Sequence, residues 1–169
     1  MRRSGAFYEE MRQISFSGAW VVPAAVAADL VTKHIAARLD RPVELAGLVR
    51  INAVRNSGIA FSLLRGQGLA LILLTGAMLA ALAAWLALRP SALPRAARIG
   101  LWMIVGGGLG NLLDRIRLGE VIDFIELTFV RFAVFNIADV FVVLGAAVTA
   151  YSILRGGTDH AGKDHRGDA

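Results

Sequence analysis

Two aspartates stand where an ionised side chain is costly. Asp139 lies in Phe135-Asn136-Ile137-Ala138-Asp139-Val140, inside an apolar run from Phe132 to Leu154 that has no other ionisable group before Tyr151. Asp123 lies in Val121-Ile122-Asp123-Phe124, again between apolar neighbours. A charge at the centre of a membrane span costs ~2.5–3.5 kcal/mol on insertion scales, so an acid kept there is a functional suspect. Sixteen positions and a turn at the membrane edge separate the two, which lets the chain double back and set the carboxyls face to face. Two carboxylates at close range do not both ionise; a shared proton makes one an acid and the other a base. Such a pair can activate water for amide hydrolysis without a metal or a covalent intermediate. Taken alone, Asp139 could equally be a buried acid that only bridges helices.

Four further polar groups interrupt apolar sequence. Asn136 stands three residues before Asp139, a spacing that predicts one helix face and lets the amide orient the carboxylate. In Gly106-Gly107-Gly108-Leu109-Gly110-Asn111-Leu112-Leu113-Asp114-Arg115, the residues Asn111, Asp114 and Arg115 share a face at the end of a span. Asp114 and Arg115 could instead simply mark the helix end in the headgroups. Asp29 and Lys33 form an i, i+4 acid–base pair that can satisfy itself, and structural support is the role it suggests. Asn56-Ser57-Gly58-Ile59-Ala60-Phe61 reads as a polar turn.

Elements that can position these groups follow from composition. The 169 residues are 56% hydrophobic and 18% charged, with 18 glycines and no cysteine. A soluble domain averages ~45–50% apolar and about a quarter charged residues, so this chain has the makeup of a membrane protein. About 20 apolar residues cross the hydrocarbon core. Leu69 to Leu88 meets that with no charge at all, and Phe132 to Leu154 nearly does. Ile99 to Leu113 is shorter and glycine-rich, which lets neighbouring helices approach closely. Ile14 to Ala37 contains Pro23, Asp29 and Lys33 and reads as a first span, in preference to a cleavable signal peptide ending near Ala25-Val26-Ala27.

The expected architecture is therefore an all-α integral membrane protein, a single membrane domain with four transmembrane helices at about 14–37, 69–88, 99–113 and 132–154. Extracytoplasmic loops fall at about 38–68 and 114–131. Within the first, Pro42 to Ser57 mixes β-branched residues with partial two-residue alternation, suggesting a small β platform. Ile116 to Val130 resembles a short interfacial amphipathic helix. The polar segment of about 156–169 has the composition of a disordered tail. Arg89, Arg95 and Arg98, with no acid among residues 89–98, favour a cytoplasmic loop there and cytoplasmic termini, although charge elsewhere is nearly balanced.

Several chemistries are excluded. Without cysteine there is no disulfide scaffold, zinc–thiolate site, iron–sulfur cluster or thiol nucleophile. Neither H-E-x-x-H nor G-x-S-x-G occurs, and no Lys-Ser/Thr completes a Walker loop. The net charge of +5 sits at chain ends and between apolar runs, which suits anionic lipid rather than nucleic acid.

In order along the chain, Asp29–Lys33, Asn56–Phe61, Gly106–Arg115, Val121–Phe124 and Phe135–Asp139 make it resemble lipoprotein signal peptidase, the type II signal peptidase of bacteria, from about residue 20 to 150. The blocks are individually short but specific together. The resemblance implies a catalytic dyad of Asp123 and Asp139. It places Asn111, Arg115 and Asn136 along the substrate and inhibitor site with Asn56 and Gly58 near it, and leaves Asp29, Lys33 and Asp114 as supports. It further implies diacylglyceryl-modified prolipoproteins as substrates, cleaved just before the lipid-modified cysteine, and globomycin-type inhibitors. The protein would be a monomer in the bacterial inner membrane, among membrane lipids, with its active site near the outer face and no metal or cofactor. One departure is that many members carry a tryptophan shortly before the F-N-x-A-D block, where this chain reads Val130-Arg131-Phe132-Ala133-Val134. Two rival readings differ in kind. An intramembrane aspartyl protease of the presenilin or prepilin-peptidase type should show G-x-G-D, which is absent; a four-helix transporter or assembly factor would use the buried acids to carry protons or cations.

Overall fold

A computed structural model describes residues 18–58, 68–89 and 93–164. The N-terminal arm, positions 14–17 of the expected first span, positions 59–61 of the polar turn and the last five residues lie outside this set. The elements in order are α1 (Val21–Ala36), β1 (Val43–Leu45), β2 (Val49–Asn56), α2 (Gly68–Leu88), α3 (Arg95–Leu118), β3 (Val121–Leu127) and α4 (Ile137–Asp164). Helices α2, α3 and α4, the last over Ile137–Arg155, are long and apolar enough to cross a membrane. Their outward faces carry exposed Leu73, Leu74, Met78, Val143, Leu144 and Leu154, as expected of surfaces that meet hydrocarbon rather than water.

Helix α3 is the centre of the bundle, and its glycines explain why. A side chain at Gly106 would strike Ala25 of α1, one at Gly107 the carbonyl of Ala138 in α4, and one at Gly108 Leu79 of α2. Gly106 and Gly107 thus let the backbones of α1 and α4 come close, the association mode that small residues favour in lipid, while Gly108 makes room for the Leu79 side chain of α2. Farther along, Gly100 of α3 and Gly145 of α4 face each other so closely that a Cβ on either would collide with the other's carbonyl oxygen. Leu86, Trp102 and Val105 fill the α2–α3 seam.

The three strands form one antiparallel sheet in the order β1-β2-β3. Glu44, Arg50 and Glu126 lie side by side across it, with Arg50 bonded to Glu44 at 2.8 Å and to Glu126 at 3.4 Å. Such exposed cross-strand pairs contribute ~0.2–1 kcal/mol and help hold register.

Three differences from the sequence-based expectation matter for the site. The interfacial helix over Ile116 to Val130 is absent: α3 runs on to Leu118, stops at Gly119, and the chain enters β3. Gly119 has φ 76°, the left-handed cap that ends a helix, and its N–H bonds the Arg115 carbonyl. Beyond it the β-branched Val121 and Ile122 pair with Asn56 and Arg55 of β2, so ladder bonds displace a weak helical pattern. Next, α4 starts at Ile137 rather than near 132: Ile125 and Phe135 form an antiparallel bridge that holds Phe135 to β3, and residues 131–134 before it are irregular. Lastly, α4 continues to Asp164, through part of the segment whose composition suggests a disordered tail; Gly156 and Gly157 weaken a helix by ~1 kcal/mol each without having to end it.

Candidate active site

The C-terminal halves of α1 and α3 and the first turn of α4 meet at one end of the bundle, and β3 crosses there. Each contributes polar side chains that are buried or nearly so: Asp29 and Lys33 from α1, Asp114 from α3, Asp123 from β3 and Asn136 at the start of α4. All ten candidate residues named from the sequence lie in a single connected network here.

Asn136 is the hinge of that network. It precedes Ile137 and caps α4 instead of lying on its face: its Oδ1 accepts the Asp139 N–H at 2.9 Å, while Asp139 Oδ2 accepts the Asn136 N–H at 3.2 Å. This is a capping box with an acid at the third helical position, where the helix N-terminus also favours negative charge. The same Asn136 donates from Nδ2 to Asp123 Oδ1 at 2.6 Å. One residue therefore binds both carboxyl groups. Asp123 Oδ2 accepts from Asn56 Nδ2 at 2.9 Å, and Asp139 Oδ1 accepts from Asn111 Nδ2 at 2.8 Å. Asparagine amides, with one acceptor and two donors each, join the acids without adding charge.

The two acids differ in exposure. Asp123 is 3% exposed, whereas Asp139 is half-buried. Burial raises the Asp123 pKa above the ordinary carboxylate value, and the Asp139 charge raises it further; the hydrogen bonds from Asn56 and Asn136 and the Lys33 charge oppose the rise without cancelling it.

A second layer lies behind Asn111. Lys33 Nζ sits 2.7 Å from Asp29 Oδ2, 2.8 Å from Asp114 Oδ2 and 3.0 Å from Asn111 Oδ1. Its contact with Asp29 Oδ2 is one of charge rather than an aligned hydrogen bond. Asp29 Oδ1 accepts the N–H of Ala138, the second residue of α4, and Asp114 Oδ2 accepts the N–H of Ile122 at 3.3 Å, next to Asp123. The i, i+4 pair thus does more than satisfy itself. Arg115 donates from Nη2 to the Gly58 carbonyl at 3.1 Å, and Gly58 N–H bonds Asn56 Oδ1 at 3.0 Å, so a compact turn after β2 is pinned to α3. Sequence reasoning missed the two backbone partners, Ala138 and Ile122, and the Phe135 bridge. The signal available was Asn136-x-x-Asp139, which is also a helix-start pattern. Among the described residues, no three His, Asp or Glu side chains converge as a metal ligand set.

The fold and this cluster define a multi-pass membrane protein with a buried carboxylate–amide centre at one end of its helices. A profile of signal peptidase (SPase) II matches residues 21–155. The lipoprotein signal peptidases of Streptococcus pyogenes serotypes M5 (strain Manfredo) and M1 are each 36% identical over 115 residues, covering 68% of this chain and 74% of theirs. Two solved structures, each described as a bacterial membrane enzyme determined in meso, superpose with TM-scores of 0.73 and 0.70 at 26% and 27% identity, covering 83% and 80% of this chain and 88% and 90% of theirs. The chain belongs to the signal peptidase II family. It is accordingly a protease and a multi-pass protein of the bacterial inner membrane.

Proposed function

We propose that this protein removes the signal peptide from prolipoproteins that already carry diacylglycerol on the lipobox cysteine, cutting just before that cysteine, with Asp123 and Asp139 as a water-activating pair. The observation that carries this reading is that Asn136 binds both carboxyl groups at once, through its side-chain amide to Asp123 and its backbone N–H to Asp139. A lipid-anchored peptide reaches the end of the bundle by diffusing in the membrane plane, and four spans, with α1 as the first, set the dyad near the outer face.

In this reading Asp123, whose pKa burial raises, carries the shared proton, and the better exposed Asp139 acts as the base. Asp139 takes a proton from water as the oxygen bonds to the scissile carbonyl carbon, and Asp123 gives its proton to the carbonyl oxygen. The tetrahedral diol then collapses: the C–N bond breaks, Asp139 passes its proton to the leaving amine, and Asp123 recovers a proton from the diol. Asn111, Asn136 and Arg115 hold the substrate backbone, with Asn56 and Gly58 completing the adjoining wall. Globomycin-type inhibitors would occupy the same place, and the protein acts as a monomer.

Mass spectrometry of a diacylglyceryl-modified lipobox peptide incubated with detergent-solubilised protein tests this. Wild type should release one fragment beginning at the lipidated cysteine. Asp123→Asn and Asp139→Asn should each lower the rate by about a thousandfold or more while folded protein remains, since a positioned acid or base supplies ~10²–10⁴-fold. Normal turnover by either variant would refute the assignment.

A further inference from the structure

Lys33 touches neither carboxyl group of the dyad, yet it is tied to one of them through a single side chain. Its side chain is 2% exposed; the ammonium donates to Asn111 Oδ1 at 3.0 Å, and the Nδ2 of that same amide donates to Asp139 Oδ1 at 2.8 Å. A primary amide has two faces, and only one orientation suits both neighbours. An ammonium has three donors and no acceptor, so opposite Lys33 the oxygen must face inward and the NH₂ must face Asp139. Asn136 Nδ2, 3.0 Å from the same Oδ1, selects the same orientation. Turned over, Asn111 would set N–H groups against the ammonium and the Asn136 amide and a carbonyl oxygen against the Asp139 carboxylate, three repulsive contacts in place of three favourable ones.

We infer that Lys33 is a positioning residue for the reaction: it fixes the orientation of the Asn111 amide and thereby the place of the Asp139 carboxylate. Asp29 and Asp114 balance its charge and secure the ammonium, at 2.7 and 2.8 Å. This goes beyond neutralising two buried acids, which is all that a supporting role requires. It rests on the dyad reading above.

The test compares Lys33→Met in two backgrounds. In the native background the substitution leaves two buried carboxylates uncompensated, which endangers the fold. The second background, Asp29→Asn with Asp114→Asn, keeps an oxygen for the Ala138 and Ile122 N–H groups, and within it Lys33→Met leaves no buried charge unpaired. Because the two Asn substitutions alone would strand the ammonium, this triple variant is compared with wild type. The readouts are kcat and KM for the diacylglyceryl lipobox peptide, per mole of protein that melts cooperatively in detergent. Loss of Lys33 should lower kcat by about tenfold or more in the neutralised background, with KM changed by less than about twofold, because small misplacement of a reacting group acts on turnover. An unchanged kcat there would mean that Lys33 only balances charge and would overturn the inference. So would loss of folded protein in both backgrounds, since Lys33 would then serve the fold alone. Cleavage by Asp123→Asn or Asp139→Asn would sink the dyad reading instead, so the two failures are distinguishable.

Discussion

At the scale of single residues, the site separates two like groups by their surroundings. Asp123 is enclosed by β3, Asn56 and Asn136, and burial together with the Asp139 charge lifts its pKa. If Asp123 must be protonated to act, activity falls as pH rises through that elevated value. Asn56 donates to the carboxylate and so favours the ionised form. Asn56→Ala should therefore move the alkaline limb of the pH–rate profile to higher pH, whatever it does to the maximum; a limb that stays put or moves down would remove Asp123 from the acid role. Both aspartates were legible in the sequence because acids between apolar neighbours are costly, and Asn111 and Arg115 because they end a span. The N-cap role of Asn136 was not legible from spacing alone, since i, i+3 describes a shared helix face as well as a capping box. The choice between them depends on where α4 starts, and the Ile125–Phe135 bridge, a contact between distant positions, sets that.

At the scale of elements, α3 succeeds as a central helix by having almost no side chains where its partners press. Gly107 faces the carbonyl of Ala138, one residue before Asp139, so a Cβ there would push the first turn of α4 away from Asp29 and Asn111. Gly107→Ala should lower the melting temperature, at a cost of about 1–3 kcal/mol for overpacking, and reduce cleavage with it. Gly76 in α2 is the contrast: an added Cβ would meet only Leu112 at 3.8 Å, an ordinary contact, so Gly76→Ala should raise stability by up to ~1 kcal/mol through helix propensity. Matching thermal shifts for the two variants would contradict the packing described for α3. The glycine run announced close helix approach from sequence, but which glycine meets which helix depends on the three-dimensional arrangement. Residues 116–130 show the opposite failure. Ile122, Ile125 and Phe129 have helical spacing, and the decisive signal was Gly119 followed by β-branched residues, whose strand needs a partner found only in β2.

At the scale of the whole molecule, the apolar belt of α2, α3 and α4 and the polar sheet at one end define an axis across the membrane. If the proposed dyad faces outward, Glu44 in β1 lies outside and Arg95, at the start of α3, lies on the cytoplasmic side; both are exposed. The chain has no cysteine, so single substitutions report without background labelling. In intact spheroplasts Glu44→Cys should react with a membrane-impermeant maleimide and Arg95→Cys should react only after lysis; the reverse pattern would invert the topology. The apolar runs that become α2, α3 and α4 were readable from composition, whereas the end of the bundle that gathers the polar groups was not, because α1, α3, β3 and α4 each hold only part of it. That division has a consequence for synthesis. Asn136 and Asp139 arrive with the last of these helices, so under the proposed assignment a nascent chain with only its earlier helices inserted holds one half of the carboxylate pair, and cleavage should begin only once α4 has entered the bilayer.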